Sequence, residues 1–349
     1  MRRAIAIACG GWGQTSPNPM VGAVLTRDGS VVGEGHHARY GAEHAEPVAI
    51  SAAGERARGA TLYVTLEPCA HQGKRPPCVP AIIGAGIARV VIASRDPNPI
   101  AAGGAELLRA AGLEVEIGVC EEEARELNGP FFHRFSSDRP WITLKLAVSL
   151  DGAITDAGRS RGWLTGDESR AEVHRQRANS DAIGAGIGTV LADDPLLTVR
   201  AAPEPRVPPT RVIFDRGARL PLDSRIMRTI GAAPVTVVTD GSASTREEAL
   251  QRAGATLIRA EGTHAALRTL RHQGIASLYV EGGAGLAGSL LREGQVDRLV
   301  IFRAPLVLGT GSVGAFDGAG SFTLDDAPRF RVVGRQVFGA DDMTIYALR

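Results

Sequence analysis

Four cysteines in 349 residues are too few to brace a scaffold with disulfides, which leaves the thiols for burial or for metal. Aromatic residues are scarce, at 5%, and charge of one sign is missing: Lys+Arg 39 against Asp+Glu 38 gives a formal net charge of +1. A generic nucleic-acid binder needs a basic stripe and stacking rings, so these two shortages exclude it. Long apolar runs are absent too. The longest uncharged stretch, Ala4 to Thr26, is broken by Gly10, Gly11, Gly13, Pro17 and Pro19. The apolar run behind Arg2-Arg3 reaches only from Ala4 to Cys9, shorter than the ~7–15 residues of a secretory core. A cytoplasmic protein with no membrane partner is therefore expected. No internal repeat or low-complexity segment occurs.

What is plentiful is glycine: 43 residues, where a usual share of ~7% would give roughly 24. Without a repeat, such an excess points to tight turns and close backbone approaches to ligands. The length divides into roughly two domains of ~150 residues. In the first half, Met20–Leu25 and Val31–Gly35 flank Asp28-Gly29, a hairpin signal. Helices are expected over His44–Ala53, Val79–Gly86, Gly104–Ala111 and Glu121–Leu127, with strands over Ala60–Leu66, Arg89–Ala93 and Leu113–Gly118. Strands alternating with helices mean an α/β layer fold. The text turns polar at Ser136–Pro140, which places a boundary between domains 1–138 and 139–349. Strands are expected from Trp141, at Asp181–Gly184, Thr210–Asp215, Pro234–Thr239, Thr256–Arg259, Ser277–Glu281 and Arg298–Ala304. Phe330–Phe338 and Met343–Leu348 read as an antiparallel pair closing the sheet.

The first chemical constellation is His44-Ala45-Glu46 at a helix start, then Pro68-Cys69, then Cys78 after eight residues. One imidazole and two thiolates make a three-ligand zinc set whose fourth tetrahedral position stays open, the plan of a catalytic site. A carboxylate two residues from the histidine moves protons without binding the metal. This is the H-x-E…P-C-x-x-C signature of zinc deaminases, with a longer gap between the cysteines. Cys9 and Cys120 lack such company and read as structural.

The second lies in Glu281-Gly282-Gly283-Ala284-Gly285-Leu286-Ala287-Gly288, after a strand and at a helix start. Gly283, Gly285 and Gly288 spell G-x-G-x-x-G, and bare backbone N–H groups there suit a phosphate. A Rossmann fold would need an acidic residue about 20 positions on, where Pro305-Leu306-Val307-Leu308-Gly309 stands, so that fold is rejected. Val190 to Arg200 reads as a loop in which Asp193-Asp194-Pro195 fits turn chemistry equally well.

The chain resembles the bifunctional deaminase–reductase family of riboflavin biosynthesis. Thr15-Ser16-Pro17-Asn18-Pro19-Met20-Val21-Gly22 is similar to its N-terminal motif. Thr65-Leu66-Glu67-Pro68-Cys69 with Gly73-Lys74-Arg75-Pro76-Pro77-Cys78 is similar to its zinc motif. The resemblance covers nearly the whole chain, including Leu144-Lys145-Leu146, Ser149-Leu150-Asp151-Gly152 and Trp163-Leu164-Thr165-Gly166. It implies an α/β chain with a cytidine-deaminase-like N-terminal domain and a dihydrofolate-reductase-like C-terminal domain. The first would hydrolytically deaminate 2,5-diamino-6-ribosylamino-4(3H)-pyrimidinone 5′-phosphate, with Glu46 carrying the proton from water to ammonia. The second would reduce the ribosyl group to ribityl with NADPH.

By the same resemblance His44, Cys69 and Cys78 hold one Zn²⁺. Asn18, His37 and Lys74 would touch the deaminase substrate. Read alone, Asn18 between two prolines equally fits a turn, and Lys74 a solvated loop charge. Ala147, Trp163, Thr189, Asp193, Arg216 and the run Gly283, Ala284, Gly285, Leu286, Ala287, Gly288 and Ser289 would face NADPH. Lys145, Arg161, Arg177, Leu197, Arg200 and Glu281 would face the reductase substrate. Trp163 fits a core position as well. The family usually has an apolar residue at Pro47, a small polar one at Arg161 and a serine at Arg216. Arg216 fits either a 2′-phosphate contact or a surface turn charge held off by Asp215. A homo-oligomer through the reductase half is implied. Two rival functions, a nucleic-acid-editing deaminase and a zinc-stabilised binding protein, are disfavoured by charge balance and by the spare carboxylate of Glu46.

Overall fold

The computed structural model describes residues 1–200 and 203–348. Ala201, Ala202 and Arg349, which fall in the second expected domain, lie outside them. The chain divides into two compact units, Met1–Ser137 and Asp138–Arg349.

The first unit runs α1 (Arg2–Ala8), β1 (Gly22–Arg27), β2 (Ser30–His36), α2 (Ala45–Ala53), β3 (Thr61–Leu66), α3 (Cys78–Gly84), β4 (Arg89–Ser94), α4 (Gly104–Ala110), β5 (Glu114–Ile117), α5 (Glu121–Leu127) and α6 (Gly129–His133). Its sheet has the order β2-β1-β3-β4-β5; β1 is antiparallel to β2 and β3, and the last three strands are parallel. The hairpin turns at Asp28 (φ 51°) and Gly29 (φ 75°), the left-handed pair a two-residue turn requires. The contact between α2 and β2 is the one that matters for chemistry. Ala45, Ala49 and Ala53, four residues apart, are buried against the sheet. Opposite them, a Cβ on Gly35 would lie 2.5 Å from the Ala45 carbonyl oxygen, and one on Gly33 2.4 Å from that of Ala49. Small residues on both sides let the helix backbone sit directly on the strand and fix where its first residues, beginning at His44, end up.

The second unit runs β6 (Trp141–Val148), β7 (Ala153–Thr155), α7 (Asp167–Ala178), β8 (Ala182–Gly186), α8 (Ile187–Asp193), β9 (Thr210–Phe214), α9 (Arg225–Arg228), β10 (Val235–Thr239), α10 (Ser244–Arg252), β11 (Thr256–Arg259), α11 (Thr263–His272), β12 (Ser277–Glu281), α12 (Ala284–Arg292), β13 (Arg298–Arg303), β14 (Val313–Gly314), β15 (Phe330–Phe338) and β16 (Asp341–Leu348). Nine strands form one sheet, β11-β10-β9-β8-β12-β6-β13-β16-β15. It is parallel from β11 to β13. The expected antiparallel pair, β15 and β16, closes the far edge. Strand alternation in β6 sends Ile142, Leu144, Leu146 and Val148 into the core. Lys145 and Ala147 therefore point to the opposite face. The expected loop Val190–Arg200 is corrected: α8 continues through Asp193 and the chain turns only at Asp194. No helix among the described residues is long and apolar enough to cross a membrane.

Candidate active sites

In the first unit a cavity of about 240 Å³ opens beside the starts of α2 and α3. His44 is the residue before α2, Cys78 the first residue of α3, and Cys69 lies in the loop after β3. His44 Nδ1 is 3.2 Å from Cys78 Sγ and 3.5 Å from Cys69 Sγ, and the two sulfurs are 3.6 Å apart. A tetrahedral zinc with ordinary bond lengths holds such donors about 3.6–3.8 Å apart, so the three fit that ion. A hydrogen bond from Cys78 pushes the Cys69 thiol down, and the same donation, with burial, pushes Cys78 up. Glu46, one residue into α2, is buried, and burial raises its carboxyl. Pro47 occupies the same first helical turn, where its missing N–H has no intrahelical acceptor to lose.

Around this centre His37 Nδ1 donates to the Glu43 carbonyl at 2.9 Å, which leaves Nε2 to accept from Asn18 Nδ2 at 3.3 Å. Burial lowers the His37 ring, consistent with that neutral tautomer. Asn18 also closes a turn, its backbone N–H donating to the Thr15 carbonyl at 2.9 Å, and it lines the cavity as well. Lys74 lines the cavity with its Nζ 4.2 Å from the centre of the Tyr40 ring. Two further wall residues, Glu67 and Asp96, had no role in the sequence reading. Glu67 accepts backbone N–H bonds from Asp96, Gly103 and Ala105 at 3.0–3.2 Å and so ties the loop after β4 to the end of β3. Asp96 is pushed up to about 6 by burial.

In the second unit a larger cavity, about 780 Å³, lies at the carboxyl end of the parallel strands, where open α/β sheets take ligands. Lys145 and Ala147 of β6, Arg177 of α7, Thr189 and Asp193 of α8, Arg200, Glu281 at the end of β12, Trp163, and Gly283, Ala284 and Gly285 line it. Arg177 grips the Glu281 carboxylate with two donors, Nη2 to Oε2 at 2.7 Å and Nε to Oε1, while Nη1 donates to the Thr198 carbonyl at 2.8 Å. Burial pushes Glu281 up, but Arg177 and Lys145 outweigh it and hold the carboxyl at about 2. Burial pushes the Lys145 ammonium down. The paired carboxylates separate: Asp193 faces the cavity, and Asp194 (φ 43°) turns the chain and accepts the Arg225 N–H at 2.8 Å. Trp163 is 72% exposed, which removes the core reading, and the Arg170 guanidinium lies 5.2 Å from its ring centre.

A third cavity of about 390 Å³ shares Gly188 and Gly285 with the second and is lined by Arg216, Leu286 and Ser289. Arg219 joins Arg216 there; nothing in the sequence reading had singled it out. Asp215 is not what restrains Arg216. Its carboxylate is fully buried, accepts the Leu220 N–H at 2.8 Å and pairs with Arg219 at 3.6 Å.

Two family models divide the chain in the same order. "Cytidine and deoxycytidylate deaminase zinc-binding region" matches residues 1–94, and "RibD C-terminal domain" matches residues 140–343. The riboflavin biosynthesis protein RibD of Aquifex aeolicus is 45% identical over 314 residues, covering 89% of this chain and 87% of its own. That of Escherichia coli is 41% identical, covering 95% and 94%. The chain belongs to the RibD family. Solved RibD of Acinetobacter baumannii superposes with a TM-score of 0.85 at 37% identity, covering 100% of this chain and 97% of that one. A Thermotoga maritima diaminohydroxyphosphoribosylaminopyrimidine deaminase/5-amino-6-(5-phosphoribosylamino)uracil reductase gives the same TM-score at 36% identity. Like its RibD relatives, the chain is a bifunctional deaminase and reductase of riboflavin biosynthesis, with the deaminase domain N-terminal and the reductase domain C-terminal.

Four residues expected in this RibD reductase site, Leu197, Ala287, Gly288 and Arg161, are not among the lining residues of the two cavities. Leu197 (φ 49°) is buried in the core between β8, β9 and α8. Ala287 is fully buried on the inner face of α12, and a Cβ on Gly288 would lie 2.0 Å from the Gly318 backbone. Gly288 is therefore required for packing, and the G-x-G-x-x-G spacing is corrected to a cavity-lining Gly283–Gly285 followed by a structural glycine. Arg161 stands between the wall residues Ser160 and Gly162 and acts on Asp193 only through its charge.

Proposed function

We propose that the first domain removes the exocyclic amine of 2,5-diamino-6-ribosylamino-4(3H)-pyrimidinone 5′-phosphate. The second then reduces the ribosyl chain with NADPH to give 5-amino-6-ribitylamino-uracil 5′-phosphate. The observation that carries this reading is that one chain builds both a His-Cys-Cys donor set beside a buried carboxylate and a cavity walled by a half-buried lysine and glutamate and a buried arginine. His44, Cys69 and Cys78 would hold the zinc, which when bound supplies Lewis-acid activation of the hydrolytic water. Glu46, made more basic by burial, takes the proton of that water and delivers it to departing ammonia. Asn18 and His37 orient the pyrimidine, and Lys74 meets the phosphate.

In the second site NADPH, when bound, supplies a hydride. Gly283–Gly285, Thr189, Asp193, Ala147 and Trp163 bind it, and Leu286, Ser289 and Arg216 line its adenosine end. An N-glycosylamine opens to an imine when its ring oxygen is protonated, and Lys145 Nζ is the buried ammonium on that wall. Glu281 holds Lys145 charged and Arg177 oriented. Arg200 receives the 5′-phosphate, a geometry a guanidinium meets with paired donors. The partners are small molecules and not nucleic acid, the location is cytoplasmic, and a second copy pairs through the reductase domain. The exposed edge strand β15, with Val337 74% exposed, supports that pairing. The test follows ammonia release and NADPH oxidation on purified protein. Ammonia must appear first and NADPH loss must depend on it; NADPH loss on the undeaminated substrate alone overturns the order.

A further inference from the structure

One wall residue of the larger cavity has no part in the chemistry above. His174 lies one turn before Arg177 on the same face of α7. Its Nδ1 accepts the backbone N–H of Arg200 at 3.0 Å. Arg177 Nη1 holds the Thr198 carbonyl at 2.8 Å, so two residues of α7 grip the 198–200 segment at alternate positions. The segment also braces itself, since Arg200 Nη1 donates to Thr198 Oγ1 at 3.1 Å. An imidazole can accept at Nδ1 only while that nitrogen is unprotonated. Burial, with Arg177 and Arg200 nearby, keeps His174 so, down to about 4.

We propose that His174 is a positioning residue of the reductase site: by accepting the Arg200 N–H it fixes the backbone from which the Arg200 guanidinium reaches the substrate's phosphate. The inference rests on the reading of Arg200 as the phosphate-binding arginine. It separates the tasks of two arginines, one on α7 and one on the segment that α7 holds. Arg177 is neutralised by Glu281 and serves as a strut, whereas the exposed Arg200 side chain donates to the Thr198 hydroxyl, pairs with no carboxylate among the described residues, and keeps its charge for an anion. The acceptor, not the ring, is what the site needs. Asparagine carries its Oδ1 at the same bond distance from Cβ as histidine carries Nδ1, and glutamine carries its oxygen one bond further.

The experiment compares His174→Asn, His174→Gln, His174→Ala and Arg200→Ala in the full chain. It measures KM for the deaminated, phosphorylated intermediate, kcat, NADPH affinity by fluorescence, and thermal unfolding. His174→Ala is expected to raise KM about 5-fold, the weight of one lost hydrogen bond, with kcat and NADPH affinity within about 2-fold. His174→Asn should restore the wild-type KM and His174→Gln should not. In the Arg200→Ala background, His174→Ala should add nothing. If Arg200→Ala raises KM while His174→Ala leaves it unchanged, or if asparagine fails to rescue a well-folded protein, the positioning role is overturned. If Arg200→Ala itself leaves KM unchanged, the reading of Arg200 fails instead. Should the alanine variant not fold, the Asn–Gln difference in KM decides alone.

Discussion

The two sites are built on opposite plans. In the first unit, the His-Cys-Cys donor set and the buried carboxylate proposed as proton carrier come from residues 44–78, two helix starts and one loop. In the second, the polar wall is gathered from β6, α7, α8, the segment near 200, β12 and α12, which spread over Lys145 to Gly285. A compact site depends on few residues, each of which fails completely when removed. A dispersed site depends on buried pairs, and its failures show in stability and affinity.

The sharpest break of that contrast is at the metal. Cys69→Ala leaves two donors where zinc needs three, and it is expected to lose bound zinc and to reduce ammonia release below about 1% while NADPH oxidation on the deaminated intermediate continues. Cys120→Ala, in a thiol outside the cluster, should keep both. Glu46→Gln separates the two tasks of the same site: full zinc content with deamination slowed by roughly 10²–10⁴-fold. Metal analysis beside an ammonia assay checks both, and stoichiometric zinc in Cys69→Ala refutes the donor set.

In the dispersed site the corresponding break is Glu281→Gln. Arg177 would then stay buried without its counter-charge, at a cost of about 3–5 kcal/mol. Denaturant unfolding of the full chain reads this as early loss of the second unit, with zinc content unchanged. Acid should mimic it. The folded carboxyl sits at about 2, below its ordinary value, so the unfolded chain binds the proton more readily. The stabilisation is complete above the unfolded value and is lost as pH falls towards 2. Glu281→Gln should flatten that part of the stability profile, and an unchanged profile would remove the pair from the account.

The same contrast explains what could be read in advance. His44, Glu46, Cys69 and Cys78 are legible because donor type and spacing are themselves the chemistry, and a helix start at His44 follows from local pattern. Most strands were legible from runs of β-branched residues, down to the antiparallel closing pair. Residues that work by burial across the fold were not. Glu67 holds three backbone N–H groups 29 to 38 residues away. Arg211 is fully buried and donates to oxygens of Leu196, Thr229 and Ala233, with no carboxylate partner among the described residues. Glu67 stands inside the Thr65–Cys69 motif, but the motif does not specify these partners, and Arg211 stands in no spacing pattern. Gly288 was misread for the converse reason: it completes a motif whose third glycine, here, meets Gly318 rather than a ligand.

The finest test lies at the third cavity, where one charge decides between two cofactors. Arg216 follows β9 and lines that cavity with Arg219, and Asp215, the residue that would have drawn it away, is turned inward to Leu220 and Arg219. Arg219 is thereby partly neutralised. The carboxylate that does act on Arg216 is Asp240, whose N–H donates to the Arg216 carbonyl and whose own carboxyl is held low chiefly by Ser242. No salt bridge among the described residues takes up the Arg216 guanidinium, which is left to meet a 2′-phosphate, the group NADPH carries and NADH lacks. A charge-assisted contact of ~1.5–3 kcal/mol corresponds to about 10- to 100-fold in preference. Arg216→Ser is expected to lower the NADPH/NADH ratio of kcat/KM by that factor, to weaken 2′,5′-ADP binding while leaving 5′-AMP binding unchanged, and to leave ammonia release untouched. An unchanged ratio together with unchanged 2′,5′-ADP affinity would make Arg216 a surface charge, and the reductase site would then end at Gly285.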